Sequence, residues 1–262
     1  MLRCEQHDMS DIRHTKIKGQ WLTMRTMLLV LCGAMMIGNM YLIFMWVPTA
    51  GLSSGFHAQR IFYIHVPLAW VGFLAFLFVL AGSIGYLWKK DYRWDALGHS
   101  AAEIGVLFTT LVLISGVIWM KPVWGRWWLW EPRLTTTLIL WLIYVAYLMI
   151  RAYSSNPLQA ARYSAILGIV GFVDVPIVYF AVQMWRGIHP GPVIGPNAAP
   201  SSLEESMSTT LLFSVVTFTV LFAFLMRERW SLIWREYVVK NSVRNTAFSK
   251  HRLDENFSLG DS

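Results

Sequence analysis

Six long apolar runs dominate this chain and decide what it can fold into. Hydrophobic residues make up 56% of the 262 positions, and a helix needs about 20 apolar residues to cross a bilayer. The runs lack the alternation of polar and apolar residues that marks a barrel strand. We therefore predict an all-α integral membrane protein, a single domain over residues 1–262 with six transmembrane helices. The predicted spans are Met27–Val47, Pro67–Trp88, Ala101–Met120, Thr135–Ile150, Ser164–Trp185 and Thr209–Met226.

The distribution of Lys and Arg predicts the orientation of the spans. The two terminal segments, residues 1–26 and 227–262, together with the 2–3 and 4–5 connections carry 17 of the 22 basic residues, and the opposite loops carry five. Because basic residues collect on the cytoplasmic side, both tails are predicted to be cytoplasmic. In a bacterium this describes a multi-pass protein of the inner membrane. The net charge of +7 follows from this asymmetry and gives no indication of nucleic acid binding.

Four tryptophans fall within seven residues between the third and fourth spans. The stretch from Trp124 to Thr136 reads WGRWWLWEPRLTT, and it lies in a predicted periplasmic Trp-rich loop, residues 121–134. Tryptophans that anchor the protein at the membrane interface are the alternative interpretation. A dense cluster beside a carboxylate and two guanidiniums favours instead a platform for a large, flat, partly anionic ligand. The predicted platform residues are Trp119, Trp124, Trp127, Trp128, Trp130, Glu131, Arg126 and Arg133.

Two histidines are predicted on the same face as this loop. His65 lies just before Pro67, which removes one helix hydrogen bond and disfavours helix at Val66, so the second span is predicted to start at the proline. His189 lies just past the fifth span, where glycine and proline residues break the helix. Neutral imidazole is the commonest metal ligand and binds heme iron axially. A pair that flanks a tryptophan platform therefore predicts a heme site, and His57 on the same face is interpreted as a surface residue.

The Trp-rich stretch resembles the "WWD" signature of heme-handling proteins of cytochrome c biogenesis. Together with RIFYIHVP before it, WEPRLTTTLILWLIYVAYLMIR overlapping it and the six-span plan, it is similar to the cytochrome c maturation protein C family, also called heme exporter protein C or CcmC. The resemblance covers about residues 25–230. Glu131 stands where the signature has Asp, so the negative charge is kept on a side chain that is one methylene longer.

The resemblance implies a cofactor, a function and a set of partners. His65 and His189 would ligate heme b without covalent attachment, and the absence of a CxxC pair agrees with this. The protein would act as a heme-binding chaperone or transport subunit in the lipid membrane. It would present heme for covalent loading onto a periplasmic heme chaperone (cytochrome c maturation protein E, CcmE-like). Its complex would contain ABC transporter subunits (CcmA-like and CcmB-like) and a small single-span subunit (CcmD-like).

The spacing of the platform residues suggests how they would hold a porphyrin. Trp124, Trp127 and Trp128 fall at i, i+3 and i+4, so they would share one face if the loop were helical. Trp130 lies off that face, where it would anchor in lipid headgroups or contact a partner. Guanidinium groups bind carboxylates well, so nearby arginines are predicted to bind the heme propionates. The predicted propionate partners are Arg60, Arg126 and Arg133.

Asp174 is an intramembrane polar residue that the heme face does not explain. It lies about 16 Å into the fifth span, at a rise of 1.5 Å per residue. Ionisable groups at such depth are costly and tend to be functional, which would make it a polar element near a heme entry route or a partner helix. The alternative is a protonated carboxyl group that donates a hydrogen bond within the bundle.

Three other functions are compatible with parts of the pattern. A b-type membrane electron carrier would need histidine pairs deep in several spans, and here His99 is the one histidine near a span on the inner side. A cytochrome c synthase of the related WWD family would carry further histidines within its spans. A substrate permease is favoured by the span count alone.

The predicted sidedness can be tested with fusions to a reporter that is active only in the periplasm. Fusions after Asp91 and after residue 240 should be inactive, and a fusion near Asn197 should be active, because basic segments stay in the cytoplasm. External cysteine labelling that reached position 90 and missed position 126 would invert the arrangement.

Overall fold

The computed structural model describes residues 23–49, 56–191, 193 and 203–260 of the chain. Within these ranges six helical segments are long and apolar enough to cross a membrane. The predicted fold class, an all-α integral membrane protein with six transmembrane helices, is therefore confirmed. The spans are Thr23–Trp46, His57–Lys89, Tyr92–Trp124, Pro132–Tyr153, Pro157–Trp185 and Glu205–Val243.

Seven helices build these six spans, because the fifth span is divided in two. A break at Val173 separates its two helices just before Asp174. The first helix ends in a π-helical turn, Leu42–Trp46, and a 3₁₀ segment, Phe56–Ile61, leads into the second. The helices are α1 (Thr23–Trp46), α2 (Phe62–Lys89), α3 (Tyr92–Trp124), α4 (Pro132–Tyr153), α5 (Pro157–Phe172), α6 (Asp174–Trp185) and α7 (Glu205–Gly260).

The Trp-rich loop is an irregular segment at one end of the bundle, which we call the Trp-rich end. α3 stops at Trp124, because Gly125 adopts the left-handed conformation (φ 73°) that favours glycine. The backbone stays non-helical up to Glu131, whose side chain caps α4 by accepting from the N–H of Leu134. Pro132 then occupies the first helical position. The helical face that Trp124 would have shared with the later tryptophans therefore does not form.

All six spans begin earlier than predicted, and two of the helix boundaries differ in ways that matter for the fold. α2 begins at Phe62, so the prediction that the second span starts at Pro67 is wrong. The proline removes the hydrogen bond to the carbonyl of Tyr63, near the start of the helix, and the helix continues through it. At the other end of the chain, α7 continues to Gly260, well past the predicted end at Met226. Residues 1–22 of the predicted N-terminal tail lie outside the described residues.

α2 lies at the centre of the bundle, where it packs against α3, α5 and α7. Its approach to α3 is close: a Cβ on Gly82 would lie 2.6 Å from the backbone nitrogen of Gly98. Small residues allow helix backbones in membranes to approach in this way. Nearer the Trp-rich end, Gly105 of α3 leaves room for the ring of Phe76, which stacks on Tyr144 of α4 at 3.8 Å. The close packing at Gly82 and at Gly105 keeps α2 and α3 side by side toward the Trp-rich end.

A buried ion pair joins α3 and α4 at the opposite end of the bundle. Two guanidinium nitrogens of Arg151 donate to the two carboxylate oxygens of Asp95 at 2.6 and 2.7 Å. The side chains of the pair are 12% and 3% exposed, respectively. The bidentate geometry gives each charge a partner in a place where water provides little solvation.

Removal of one partner of this pair should destabilise the bundle. Asp95→Ala leaves the Arg151 charge buried without its counter-ion, a change that typically costs about 3–5 kcal/mol. Thermal unfolding in detergent, followed by circular dichroism, measures the loss. Lys240→Ala is the matched control, because its ion pair with Glu236 is exposed (74% and 60%) and contributes little. Equal unfolding temperatures for the two variants would contradict the prediction.

Candidate functional site

A cavity of about 300 Å³ lies at the Trp-rich end between α2, α3, α4 and the segment that follows α6. This volume is at the lower end of the range for ligand pockets, about 300–1,000 Å³. Apolar side chains, such as Phe73 of α2 and Val112 of α3, form most of the wall. The structure thus brings together residues that are far apart in the sequence. The predicted site residues that line the cavity are His65, Trp119, Trp124, Trp128, Glu131, Arg133 and His189.

His65 reaches the cavity from the first turns of α2. Its side chain is buried, with 8% exposure, and its Nδ1 lies 2.9 Å from the hydroxyl oxygen of Ser115 on α3. The indole of Trp119 meets the imidazole edge-on, with ring centroids 6.0 Å apart. α2 and α3 together therefore hold the ring in place.

His189 reaches the cavity from the opposite side, on the segment after α6. The helix ends at Trp185, and Arg186 turns the chain in the left-handed conformation (φ 50°). The Nδ1 of His189 lies 2.9 Å from the carbonyl oxygen of Pro190 and 3.0 Å from a guanidinium nitrogen of Arg133. Burial, and then the Arg133 charge, lower the pKa of His189 from 6.5 to about 4. The imidazole is therefore neutral at physiological pH, the form that binds metals.

Arg133 connects α4 to the segment that carries His189. Its Nη2 donates to the carbonyl oxygen of Tyr179 at 2.8 Å, and its Nε donates to that of Val178 at 3.4 Å. Its Nη1 donates to the carbonyl oxygen of Pro190 at 3.3 Å and contacts the imidazole of His189. The predicted propionate partner is thus engaged with the backbone and with one of the two histidines.

The two imidazoles face each other across the cavity. Their ring centroids are 6.5 Å apart, and their planes are inclined by 36°. Among the described residues, no group of three or more His, Cys, Asp and Glu side chains could hold a metal ion.

Three polar atoms at the cavity are buried and have no hydrogen-bond partner. They are Oε2 of Glu131 and the indole nitrogens of Trp119 and Trp128. Glu131 is 8% exposed and uses its other oxygen to cap α4. Its Oε2 would lie 2.5 Å from a Cβ on Gly187, so this glycine lets the segment after α6 approach. Buried polar groups without partners are rare in proteins and suggest a missing ligand or water.

The remaining predicted site residues do not line the cavity. Trp127 and Trp130 lie at its rim with 59% and 76% exposure, and the ammonium group of Lys121 lies over the ring of Trp127. Arg126 is exposed in the same loop. Arg60 lies over the ring of Phe44, 5.7 Å from its centroid. Asp174 lies at the break between α5 and α6, and its buried Oδ2 has no hydrogen-bond partner.

Sequence reasoning missed three small residues of the site, Ser115, Gly116 and Gly187. Ser115 contacts His65, and a Cβ on Gly116 would lie 3.2 Å from Cε1 of the same ring. Small residues are common wherever helices pack in membranes, so nothing in the sequence distinguishes these from others.

The fold and the site together define the class of protein to which this chain belongs. This is a multi-pass helical membrane protein with two histidines and a group of tryptophans around one cavity at an end of the bundle. The family model described as heme exporter protein C matches residues 10–244. The chain belongs to the heme exporter protein C family.

Individual relatives agree with this assignment. The heme exporter protein C of Bradyrhizobium diazoefficiens is 37% identical over 164 residues, which are 62% of this chain and 62% of that protein. The heme exporter protein C of Escherichia coli strain K12 is 31% identical over 189 residues, 70% of this chain and 75% of that protein. A putative cytochrome c biosynthesis ccmC-like mitochondrial protein of Marchantia polymorpha is 30% identical over 178 residues, 68% and 71% of the two chains.

Proposed function

We propose that this protein handles heme in the biogenesis of c-type cytochromes. It binds heme b without covalent attachment, in the cavity at the Trp-rich end, with His65 and His189 as the axial ligands. The observation that carries the proposal is the pair of imidazoles 6.5 Å apart in a tryptophan-lined cavity. The names of two relatives, heme exporter protein C, support the role in heme handling.

The distance between the imidazoles fits one iron atom between them. With a metal–nitrogen bond of about 2 Å on each side, two imidazoles that bind one metal from opposite faces have ring centroids about 6 Å apart. The measured 6.5 Å is close to this value. The low pKa of His189, about 4, keeps its imidazole neutral for this task. When bound, the iron porphyrin would supply an iron with two open axial positions and a flat apolar surface with two carboxylates.

The tryptophans and the polar atoms of the cavity suit the rest of such a ligand. Trp119, Trp124 and Trp128 provide broad apolar surface around the histidines. The unpartnered N–H groups of Trp119 and Trp128 are hydrogen-bond donors, as a carboxylate requires. Arg126, exposed in the Trp-rich loop, and Arg60 remain our proposed partners for the propionates. Arg133, by contrast, is bound to backbone carbonyls and to His189.

The rim of the cavity is the proposed surface for handing heme on. Trp127 and Trp130 are exposed at this rim, whereas Trp119, Trp124 and Trp128 line the cavity. Exposed aromatic side chains of this size are common at the centres of protein interfaces. We assign this rim to a CcmE-like periplasmic heme chaperone. The complex would include CcmA-like and CcmB-like ABC transporter subunits and a CcmD-like single-span subunit, in the bacterial inner membrane with both tails in the cytoplasm.

Single histidine replacements test the ligand assignment. His65→Ala and His189→Ala should each change the absorption spectrum of bound heme and lower the heme content of the purified protein, because each removes one axial ligand. His57→Ala is the matched control, since its exposed side chain on the same face does not line the cavity. If both single variants kept the wild-type spectrum and heme content, the assignment would be wrong.

Two neighbouring tryptophans separate heme binding from heme transfer. Trp128→Ala should weaken heme binding by about 1–3 kcal/mol, taking the stacking of nucleic acid bases on aromatic rings as the scale. Trp127→Ala should leave the heme content unchanged and reduce the amount of heme-loaded chaperone, because this indole lies at the exposed rim. Heme content and loaded chaperone are measured in the same membranes, corrected for inserted protein. Equal losses of inserted protein and loaded chaperone in both variants would favour a role in membrane anchoring.

A further inference from the structure

The two histidines of the cavity are held in different ways. His65 lies on a continuous helix, and its ring is buried against a second helix. His189 lies on the segment beyond α6, half-buried, with its ring beside Arg133 and the carbonyl group of Pro190. Their hydrogen-bond partners also differ in which ring nitrogen they allow to carry the proton.

The hydrogen bonds of Ser115 decide which nitrogen of His65 carries the proton. The hydroxyl group has a single hydrogen, and its oxygen lies 2.7 Å from the carbonyl oxygen of Leu111 and 3.2 Å from that of Val112. The hydrogen is therefore donated to the backbone, as is common for serine within a helix. The same oxygen, 2.9 Å from Nδ1 of His65, then accepts a hydrogen bond from Nδ1–H. Because a neutral imidazole carries one proton, Nε2 keeps its lone pair for a metal.

Two neighbours of Ser115 on α3 hold the same ring in position. A Cβ on Gly116 would lie 3.2 Å from Cε1 of His65, so any side chain at this position would press on the imidazole. The indole of Trp119, one turn further along, meets the ring edge-on at 63°. The orientation of the His65 ring is thus fixed by Ser115, Gly116 and Trp119, and its tautomer is fixed by the hydroxyl group of Ser115.

Nδ1 of His189 has two competing partners instead. If Arg133 donates to this nitrogen across 3.0 Å, the ring proton is on Nε2, which then cannot bind a metal. If Nδ1–H donates to the carbonyl oxygen of Pro190 across 2.9 Å, Nε2 is free to bind. Arg133 therefore competes with a metal for His189, and the described contacts of His65 include no such competitor.

We propose that Ser115 is a positioning residue that makes His65 the fixed ligand of the heme, and that Arg133 makes His189 the exchangeable one. The proposal rests on the proposed function in assuming that both histidines bind one heme. If His189 left the iron of a bound heme, its bond from Nε2 would break, Nε2 would take a proton from water, and Nδ1 would return one to water. Arg133 would then donate to Nδ1 and hold the free ring in the form that does not bind again.

The tautomer of His65 can be measured without heme. Nitrogen NMR of the full-length protein in detergent, labelled with ¹⁵N-histidine, distinguishes protonated from unprotonated ring nitrogens. We expect Nδ1–H for His65 in the wild type and in Ser115→Thr, which keeps the hydroxyl group, and a mixture of tautomers in Ser115→Ala. Nε2–H in the wild type, or unchanged signals in Ser115→Ala, would overturn the proposal.

Thr110→Ala is the matched control for Ser115→Ala. Thr110 lies on the same helix, donates to the carbonyl oxygen of Val106 and accepts from the indole N–H of Trp141 at 2.8 Å. Its removal deletes a hydroxyl group with the same pair of hydrogen bonds, away from the cavity. Signals of His65 in this variant should match those of the wild type, whereas a shift equal to that in Ser115→Ala would show a general effect of packing.

The second measurement compares the two ligands in protein loaded with heme. Ser115→Ala should weaken heme retention by about 10-fold to 100-fold, the usual effect of losing an outer hydrogen bond to a metal ligand. Added imidazole should restore the wild-type spectrum in His189→Ala without heme loss, and it should fail to do so in His65→Ala. Arg133→Gln should slow the replacement of His189 by imidazole.

Two outcomes separate the failure of this proposal from the failure of the proposed function. Equal rescue of both histidine variants by imidazole would overturn the difference between the ligands while leaving the heme site intact. A wild-type protein that takes up no heme would overturn the proposed function. The role of Ser115 is then decided by the nitrogen signals of His65 alone.

Discussion

The close contact of α2 with α3 is the interaction on which the rest of the structure depends. A Cβ on Gly82 would lie 2.6 Å from the backbone nitrogen of Gly98, which is closer than real Cβ contacts, so the two helices can lie this close only because Gly82 has no side chain. In lipid, where apolar surface gains little from contact with another helix, such close packing is itself a source of stability. The same contact continues to the Trp-rich end, where it brings Ser115 within hydrogen-bond distance of His65.

The other side of the cavity depends on the start of α4. Glu131 caps this helix, and its second oxygen lies where the segment after α6 passes, at Gly187. Two residues later, Arg133 holds the carbonyl groups of α6 and the ring of His189. One turn of α4 thus determines where the second histidine lies relative to the first. The signature WEPRL is therefore as much a structural element as a candidate binding motif.

The two ends of the bundle differ in how their charged and polar side chains are paired. At the opposite end, Asp95 and Arg151 satisfy each other in a bidentate pair, and Glu103 is paired with Arg229. At the Trp-rich end, the carboxylate oxygen of Glu131 and two indole N–H groups are buried without partners. Unsatisfied polar groups are costly in a fold. The two indole N–H groups at the cavity are donors that the carboxylates of the proposed heme ligand could accept from.

The sequence by itself determined the class of fold, since apolar runs of bilayer length leave helices as the structure that satisfies the backbone in lipid. It also identified His65, His189 and the tryptophan cluster, because these residue types are unusual and lie at the ends of the spans. The sequence did not show that Trp128 lines the cavity whereas Trp127 is exposed. That difference depends on the end of α3 at Gly125, which places Trp127 and Trp128 in an irregular segment and leaves Trp124 on the helix.

Tertiary structure alone decided how each histidine is held. Ser115 is 50 positions from His65, and Arg133 is 56 positions from His189. These pairs meet because glycines let α2 and α3 approach and because the segment after α6 folds back over the start of α4. A pattern of apolar residues specifies which face of a helix is buried, but it does not specify which neighbouring helix that face contacts. The partners, and with them the proton on each ring, therefore follow from the packing of the whole bundle.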